Sequence, residues 1–201
     1  MIFKKDTHKL NNGFTLAEIL VTLAIIGVVA ALTVPALVND LSKKQHVSSL
    51  KKVISITNQA LTMYTADNGS LKGLFDPDGI DVIRNLSPYI NYSRTCSGPD
   101  ATQCWHATWT ELDNSEKTIG QWSGFAILQN GMLMNITNSG MHTADCSTDG
   151  TYGENLCGTI DIDTNGFEGP NKIGRDIFRL FVHLDGIKYK PLWTEKGIDK
   201  C

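Results

Sequence analysis

The longest apolar run of the chain lies near its start. From Ile19 to Asn39 the sequence has 21 consecutive uncharged residues, most of them Val, Ile, Leu and Ala. A helix rises about 1.5 Å per residue, so a helix of this length crosses the roughly 30 Å hydrocarbon core of a bilayer. The pattern predicts a membrane-spanning helix. Because Pro35 lacks an amide hydrogen, a kink or loosened turn is expected near it.

After the apolar run, the hydrophobic positions narrow to one face of a helix. Their spacing is that of an amphipathic helix, and the nearby lysines lie largely off the stripe. The sequence Asp-Asn-Gly directly afterwards favours a helix end. The second half of the helix is therefore expected to pack on a head domain through Leu50, Val53, Ile54, Leu61 and Tyr64.

The head has a mixed pattern. A short helix is expected at 80–86, whereas 91–120 shows weak periodicity and is expected to form ordered loop. Apolar segments flank an Asn-Gly pair, which is typical of a β-hairpin. The predicted fold is α+β, with the long helix packed on an antiparallel sheet of about four or five strands. The strands are expected at 125–128, 132–136, 158–163, 177–184 and 187–190.

The charges indicate how the chain is oriented. Lys4, Lys5 and Lys9 precede the apolar run, and such a basic flank stays in the cytoplasm, so the C-terminal head is expected outside it. The formal net charge is −3, from 18 basic and 21 acidic residues. A mildly acidic head without a basic cluster is a poor nonspecific nucleic-acid binder, so no nucleic-acid partner is expected.

One carboxylate lies where the apolar segment begins. Glu18 is preceded by Gly13, Phe14, Thr15, Leu16 and Ala17. A lone acid at this depth costs a few kcal/mol on membrane-insertion scales, so it is a functional candidate that needs a partner.

A short basic leader, the sequence Gly-Phe-Thr-Leu-x-Glu and about twenty apolar residues resemble the signal of type IV pilins and type II secretion pseudopilins. The resemblance implies cleavage between Gly13 and Phe14 by a prepilin peptidase, and N-methylation of Phe14. It also implies a pilin-like fold. Its expected parts are a leader at 1–13, a long helix at 14–66 whose first half, 14–39, serves the membrane and assembly, and a globular head at 67–201.

In a filament, the Glu18 carboxylate would be costly to bury without a partner. The new amino group of Phe14 on a neighbouring subunit can pair with it. A slip of one position would leave both charges unpaired, so this contact is expected to set the register between subunits. Glu18 is therefore interpreted as an assembly residue.

Two simpler interpretations compete. An ordinary secretory signal peptide could be cleaved near Val28-Val29-Ala30, and a plain single-pass anchor needs only the apolar run. However, the apolar run continues past Ala30 to Val38. Neither alternative explains Glu18 or the Gly-Phe junction.

All five cysteines lie in the head, which suits an oxidising compartment. The simplest local pairing joins Cys96 to Cys104 and Cys146 to Cys157, with Cys201 left over. Four paired cysteines allow three connectivities, and Cys201 could instead join one of the others.

A zinc site is an alternative for some of these cysteines, with the ligands Cys104, His106, His142 and Cys146. The spacings match no compact zinc motif, and the compartment favours disulfides.

The second chemical signal is an acidic loop. Oxygen side chains alternate and a glycine takes the sixth place, as in the first half of a calcium-binding loop, but the twelfth place is Lys172, so this is not an EF-hand. Similar loops in pseudopilin-like heads imply bound calcium. The alternative is a solvated loop that uses Asp and Asn as turn formers. The expected ligands are Asp161, Asp163, Asn165 and Asp176, with Glu168 in reserve.

The sequence lacks the motifs of common enzymes, including the Gly-x-Ser-x-Gly elbow, the phosphate loop and His-Glu-x-x-His. A structural, non-enzymatic role is expected. The resemblance implies a bacterial inner-membrane precursor that joins itself and other pilin-like subunits on an inner-membrane assembly platform. The product is a periplasmic pseudopilus or an extracellular pilus. The alternative is a secreted or membrane-tethered calcium-binding ectodomain that does not polymerise.

Overall fold

The computed structural model describes residues 14–75, 79–120, 123–137, 146 and 155–188. Its first helix, α1, spans Leu16–Asn68. The chain divides into two compact units, Met1–Lys44 and Gln45–Cys201, and α1 contributes to both.

The first unit contains the apolar part of α1. The segment Leu16–Pro35 has a mean hydropathy of 2.4, and none of it is buried within the chain. By length and composition it is sufficient to cross a membrane. The large apolar side chains along it, from Leu16 to Leu41, are all exposed.

In the second unit, α1 is amphipathic as predicted. Val53 and Leu61 are fully buried in the main core, and Leu50, Ile54 and Tyr64 pack against it half-buried. The helix ends at Asn68, where the next residue, a glycine, takes a φ of 81° and donates its amide to the carbonyl of Thr65 at 2.7 Å. Such a glycine is a common helix terminator because it adopts a left-handed backbone without a Cβ penalty.

A second helix, α2 at Gly79–Leu86, follows, and a 3-10 helix spans Gly98–Gln103. The strands are β1 Tyr92–Ser97, β2 Thr108–Thr110, β3 Glu116–Thr118, β4 Ser123–Leu128, β5 Leu133–Thr137, β6 Leu156–Asp163, β7 Ile177–His183 and β8 Gly186–Lys188. The Asn-Gly hairpin between β4 and β5 is confirmed, with Gly131 at a φ of 83°.

Within the described residues, six strands form one antiparallel sheet in the order β1-β4-β5-β6-β7-β8, and β2 and β3 form a separate ribbon. The prediction of ordered loop over 91–120 was wrong, because this segment contains β1 and the ribbon. Strand β1 lies at the sheet edge and exposes Ser93, Arg94 and Thr95. Three consecutive exposed residues interrupt the apolar alternation that a strand pattern needs, so the sequence did not reveal this strand.

The sheet is covered on both faces. One face shares the main core with α1 and α2, through residues such as Ala126, Met134 and Ile160. The other face packs against residues 98–118, here called the cover segment, through a second core that contains Trp105, Trp109 and Phe125. Every residue of β6 is buried as a result. Polar residues on this second face must therefore find partners inside the protein.

Candidate functional site

The start of α1 is a capping box. The backbone amide and the hydroxyl of Thr15 both donate to Oε2 of Glu18 at 2.8 Å, and the Glu18 amide donates back to the Thr15 hydroxyl oxygen at 3.3 Å. These bonds satisfy amides that a helix start otherwise leaves unpaired. Glu18 therefore has a local role, which the Thr-x-x-Glu spacing could have revealed from sequence.

The capping box leaves the processing residue next to it accessible. Phe14 precedes the helix and is 84 % exposed. Gly13 lies outside the described residues, so cleavage at the Gly13–Phe14 bond stays a prediction.

In the head, the acidic residues of β6 lie on the face under the cover segment. Asp161 stands opposite Asn135 of β5 and Arg179 of β7 in the sheet register. Arg179 donates to both of its carboxylate oxygens, through Nε at 2.7 Å and an Nη at 2.8 Å. The same guanidinium lies 3.6 Å from Glu111 of the cover segment. This two-pronged arginine contact joins two strands and the segment above them.

Two residues along β6, Asp163 meets a second partner from the cover segment. Its Oδ2 lies 2.9 Å from Nε2 of His106, and both side chains are buried. Its Oδ1 accepts the amide of Asn165 at 3.0 Å. Burial raises the pKa of the Asp163 carboxyl above its ordinary value; His106 and the Asn165 amide oppose this, and the nearby Asp176 carboxylate adds to it. Two like charges thus lie close together in a buried place.

Asp176 organises the loop that joins β6 to β7, residues 164–176. Its carboxylate accepts the amides of Asn171 at 2.8 Å and Lys172 at 2.7 Å. Asn165 donates its side-chain amide to the carbonyl of Gly169 at 3.2 Å. The loop is therefore an ordered turn fixed by its own Asp and Asn residues.

The expected calcium ligands fit an ion only in part. All six carboxylate oxygens of Asp161, Asp163 and Asp176 already have a protein partner, and for Asp161 that partner is a cation. The charge of Asp161 is therefore balanced by Arg179. No cluster of three or more His, Cys, Asp or Glu side chains suited to a metal occurs in the part of the chain that the structure describes.

Two asparagine side chains of the same loop offer oxygen atoms that a cation could bind. Oδ1 of Asn165 and Oδ1 of Asn171 are buried and have no hydrogen-bond partner among the described residues. Amide and carboxylate oxygens are the ligands that Ca²⁺ prefers. Asp163 and Asp176, whose carboxylates lie near each other, carry the same type of ligand atom, whereas Asp161 belongs to the arginine contact. Glu168, the reserve ligand, is exposed.

The cysteines are joined in the simplest local pairing. Disulfides link Cys96 to Cys104 and Cys146 to Cys157. The zinc alternative is therefore wrong, because a disulfide sulfur is not a free thiolate ligand. His142 and Cys201 lie outside the described residues.

Comparison with known proteins identifies the N-terminal segment. Residues 8–34 match the prokaryotic N-terminal methylation motif. The chain is 43% identical over 56 residues to type II secretion system core protein G of Escherichia coli K12, covering 28% of this chain and 38% of that protein. The core protein G of Aeromonas hydrophila is 37% identical over 57 residues (28% and 39%), and that of Pectobacterium carotovorum 41% over 56 residues (28% and 35%). The chain thus spans less than two fifths of these relatives. No solved structure gives a significant match.

Proposed function

From the premise that the chain carries the N-terminal signal of type IV pilins and type II secretion pseudopilins, we propose that it is a structural pilin-like subunit. A prepilin peptidase cleaves it between Gly13 and Phe14, and Phe14 is N-methylated. The product polymerises through its N-terminal helix with copies of itself and other pilin-like subunits. Assembly starts on an inner-membrane platform and gives a periplasmic pseudopilus or an extracellular pilus.

The observation that carries this proposal is the exposed apolar surface of the first unit. Side chains such as Leu16, Leu20 and Leu32 are 59–78% exposed, and none of Leu16–Pro35 is buried. So large an apolar surface requires a cover from outside the chain. Lipid supplies it in the precursor, and the helices of neighbouring subunits supply it in a filament.

Glu18 fits this scheme because its local bonds use one side of the carboxylate. Thr15 donates twice to Oε2, and Oε1 has no hydrogen-bond partner among the described residues. A neighbouring Phe14 amino group can therefore approach Oε1 while the capping box stays intact. The pair would neutralise the charge that the helix bundle otherwise buries.

In the head, we extend the proposal to one bound Ca²⁺ in the β6–β7 loop. Asp163, Asn165, Asn171 and Asp176 would hold it, and the two amide oxygens without partners support this choice. The ion would offset the repulsion between the neighbouring Asp163 and Asp176 carboxylates.

The decisive experiment separates the charge of Glu18 from its capping bond. Glu18→Gln keeps an oxygen for the capping box but removes the charge, whereas Glu18→Ala removes both. We expect both variants to mature normally by mass spectrometry of the N-terminus, and both to lose filaments when the assembly machinery is co-expressed. Thr22→Val is the control, because it removes only a hydroxyl bond to the Ile19 carbonyl one turn further along.

Filaments at the unmodified yield from Glu18→Gln would show that the charge is not the assembly contact. A precursor that matures but never assembles, even unmodified, would favour the tethered ectodomain that does not polymerise. Failure of the unmodified chain to mature with a prepilin peptidase would contradict the proposal as a whole.

A further inference from the structure

The two ends of the β6–β7 loop are tied together at a single carbonyl. The backbone amide of Thr164, the first loop residue, donates to the carbonyl of Asp176, the last, at 3.0 Å. The Thr164 hydroxyl donates to the same carbonyl at 3.0 Å. Both residues are buried, so this junction of the two loop ends, here called the neck, lies away from solvent.

A residue of α1 contacts this neck from 118 positions away in sequence. Nδ1 of His46 lies 2.9 Å from the Thr164 hydroxyl oxygen. A threonine hydroxyl has one proton, and here that proton goes to the Asp176 carbonyl. The hydroxyl must therefore accept from His46, which assigns the proton to Nδ1. The result is a directed relay from His46 Nδ1–H through the Thr164 hydroxyl to the Asp176 carbonyl.

The position of His46 along α1 gives this contact its importance. Val53 is the first residue of α1 that is fully buried in the second unit. Before it, Gln45 and Val47 are exposed, and His46 and Leu50 are only half-buried. Residues 45–52 thus have little apolar cover, and a stretch of helix with few buried apolar contacts opens locally more easily than a well-packed one.

We propose that His46, Thr164 and Asp176 form a latch through which the neck of the β6–β7 loop fixes residues 45–52 of α1. An intact neck presents the Thr164 hydroxyl to His46 and holds these turns in the helix. A disrupted neck releases them. An ordered loop thereby stabilises residues 45–52 of α1, which directly follow the first unit in sequence. This goes beyond a role as a subunit and requires neither polymerisation nor a metal.

The test is hydrogen exchange on the full chain in detergent micelles, comparing amides of residues 45–52 with those of residues 57–64. His46→Leu removes the donor, and Thr164→Val removes the hydroxyl at nearly constant shape. Each is expected to speed exchange of 45–52 about fivefold, as expected for one lost hydrogen bond, and to leave 57–64 unchanged. The double variant should be no faster than either single one, because both break the same relay.

Two conservative variants show whether the relay itself is responsible. His46→Asn places an amide donor near the position of Nδ1, and Thr164→Ser keeps the hydroxyl; both are expected to retain slow exchange. Unchanged exchange of 45–52 in His46→Leu would overturn the latch. So would additive effects in the double variant, or exchange as fast in His46→Asn as in His46→Leu. If Thr164→Val unfolds the head, the contrast between His46→Leu and His46→Asn still decides.

Discussion

Helix α1 contributes to both compact units, and its two parts differ in where their cover comes from. In the first unit, large apolar side chains lie on every side of the helix and are exposed. In the second unit, one stripe is buried against a sheet of the same chain. The first part therefore needs a cover from outside the chain, whereas the second part is completed by its own fold.

The polar groups of the two units also differ in where their partners come from. Glu18 is bonded to Thr15, three residues away. Asp161 and Asp163 depend on Arg179 and His106, which the fold brings from 18 and 57 positions away. Substitutions in the first unit should thus affect processing and assembly, and substitutions in the second should affect folding.

The largest effect is expected at the processing junction. In Gly13→Val a branched side chain would have to enter a peptidase cleft that is shaped for glycine. Maturation should therefore be lost almost completely, while the head keeps its melting temperature. Mass spectrometry of the N-terminus measures this. Gly27→Val is the matched control, because a Cβ added at Gly27 meets nothing within 4 Å. Normal maturation of Gly13→Val would contradict the assignment of the junction.

Arg179→Met should cause the largest loss of head stability. It leaves the buried Asp161 carboxylate without its cation, which costs about 4 kcal/mol in comparable cases. Urea unfolding of a head lacking residues 1–41 gives the measurement. Arg84→Met is the control, because Arg84 pairs with Asp81 at the surface, where such pairs contribute about 0.5 kcal/mol. Equal losses in the two variants would show that the buried contact is not special.

The same substitution, leucine to alanine, gives the most direct comparison when it is made once in each unit. Leu61→Ala empties a fully buried site and should lower the free energy of unfolding of the head by about 3 kcal/mol. Leu23→Ala changes a side chain that is 60% exposed, so the thermal unfolding of the head in the full chain should not change. A clear loss of head stability in Leu23→Ala would show that the first unit contributes to the fold of the second.

The smallest effect is expected from calcium. Binding to the folded head alone adds about 2.7 kcal/mol when free calcium is a hundredfold above Kd. The head should melt higher in calcium than in chelator, and Asp163→Asn should abolish the difference. Asp113→Asn, at an exposed acid, should retain it. The same melting temperature in both solutions for the unmodified head would remove calcium from the account.

Local patterns in the sequence were sufficient for several features. The Asn-Gly hairpin, the short helix at Gly79–Leu86 and the stripe through Val53 and Leu61 are all found where the sequence predicted them. Each depends on residues a few positions apart, and the spacing of such residues along the sequence follows directly from helix and strand geometry. Strand β1 was missed because half of its side chains are exposed and the strand carries no such repeat.

By itself, the sequence determined the apolar helix, its acid at Glu18, the signal around Gly13 and the α+β class of the head, because each is a contiguous pattern. Only the tertiary structure decided what the buried acids do. The partners of Asp161 and Asp163 come from β7 and the cover segment, and the partner of His46 is the first residue after β6. Such contacts depend on sheet register and chain topology, which spacing along the sequence does not encode.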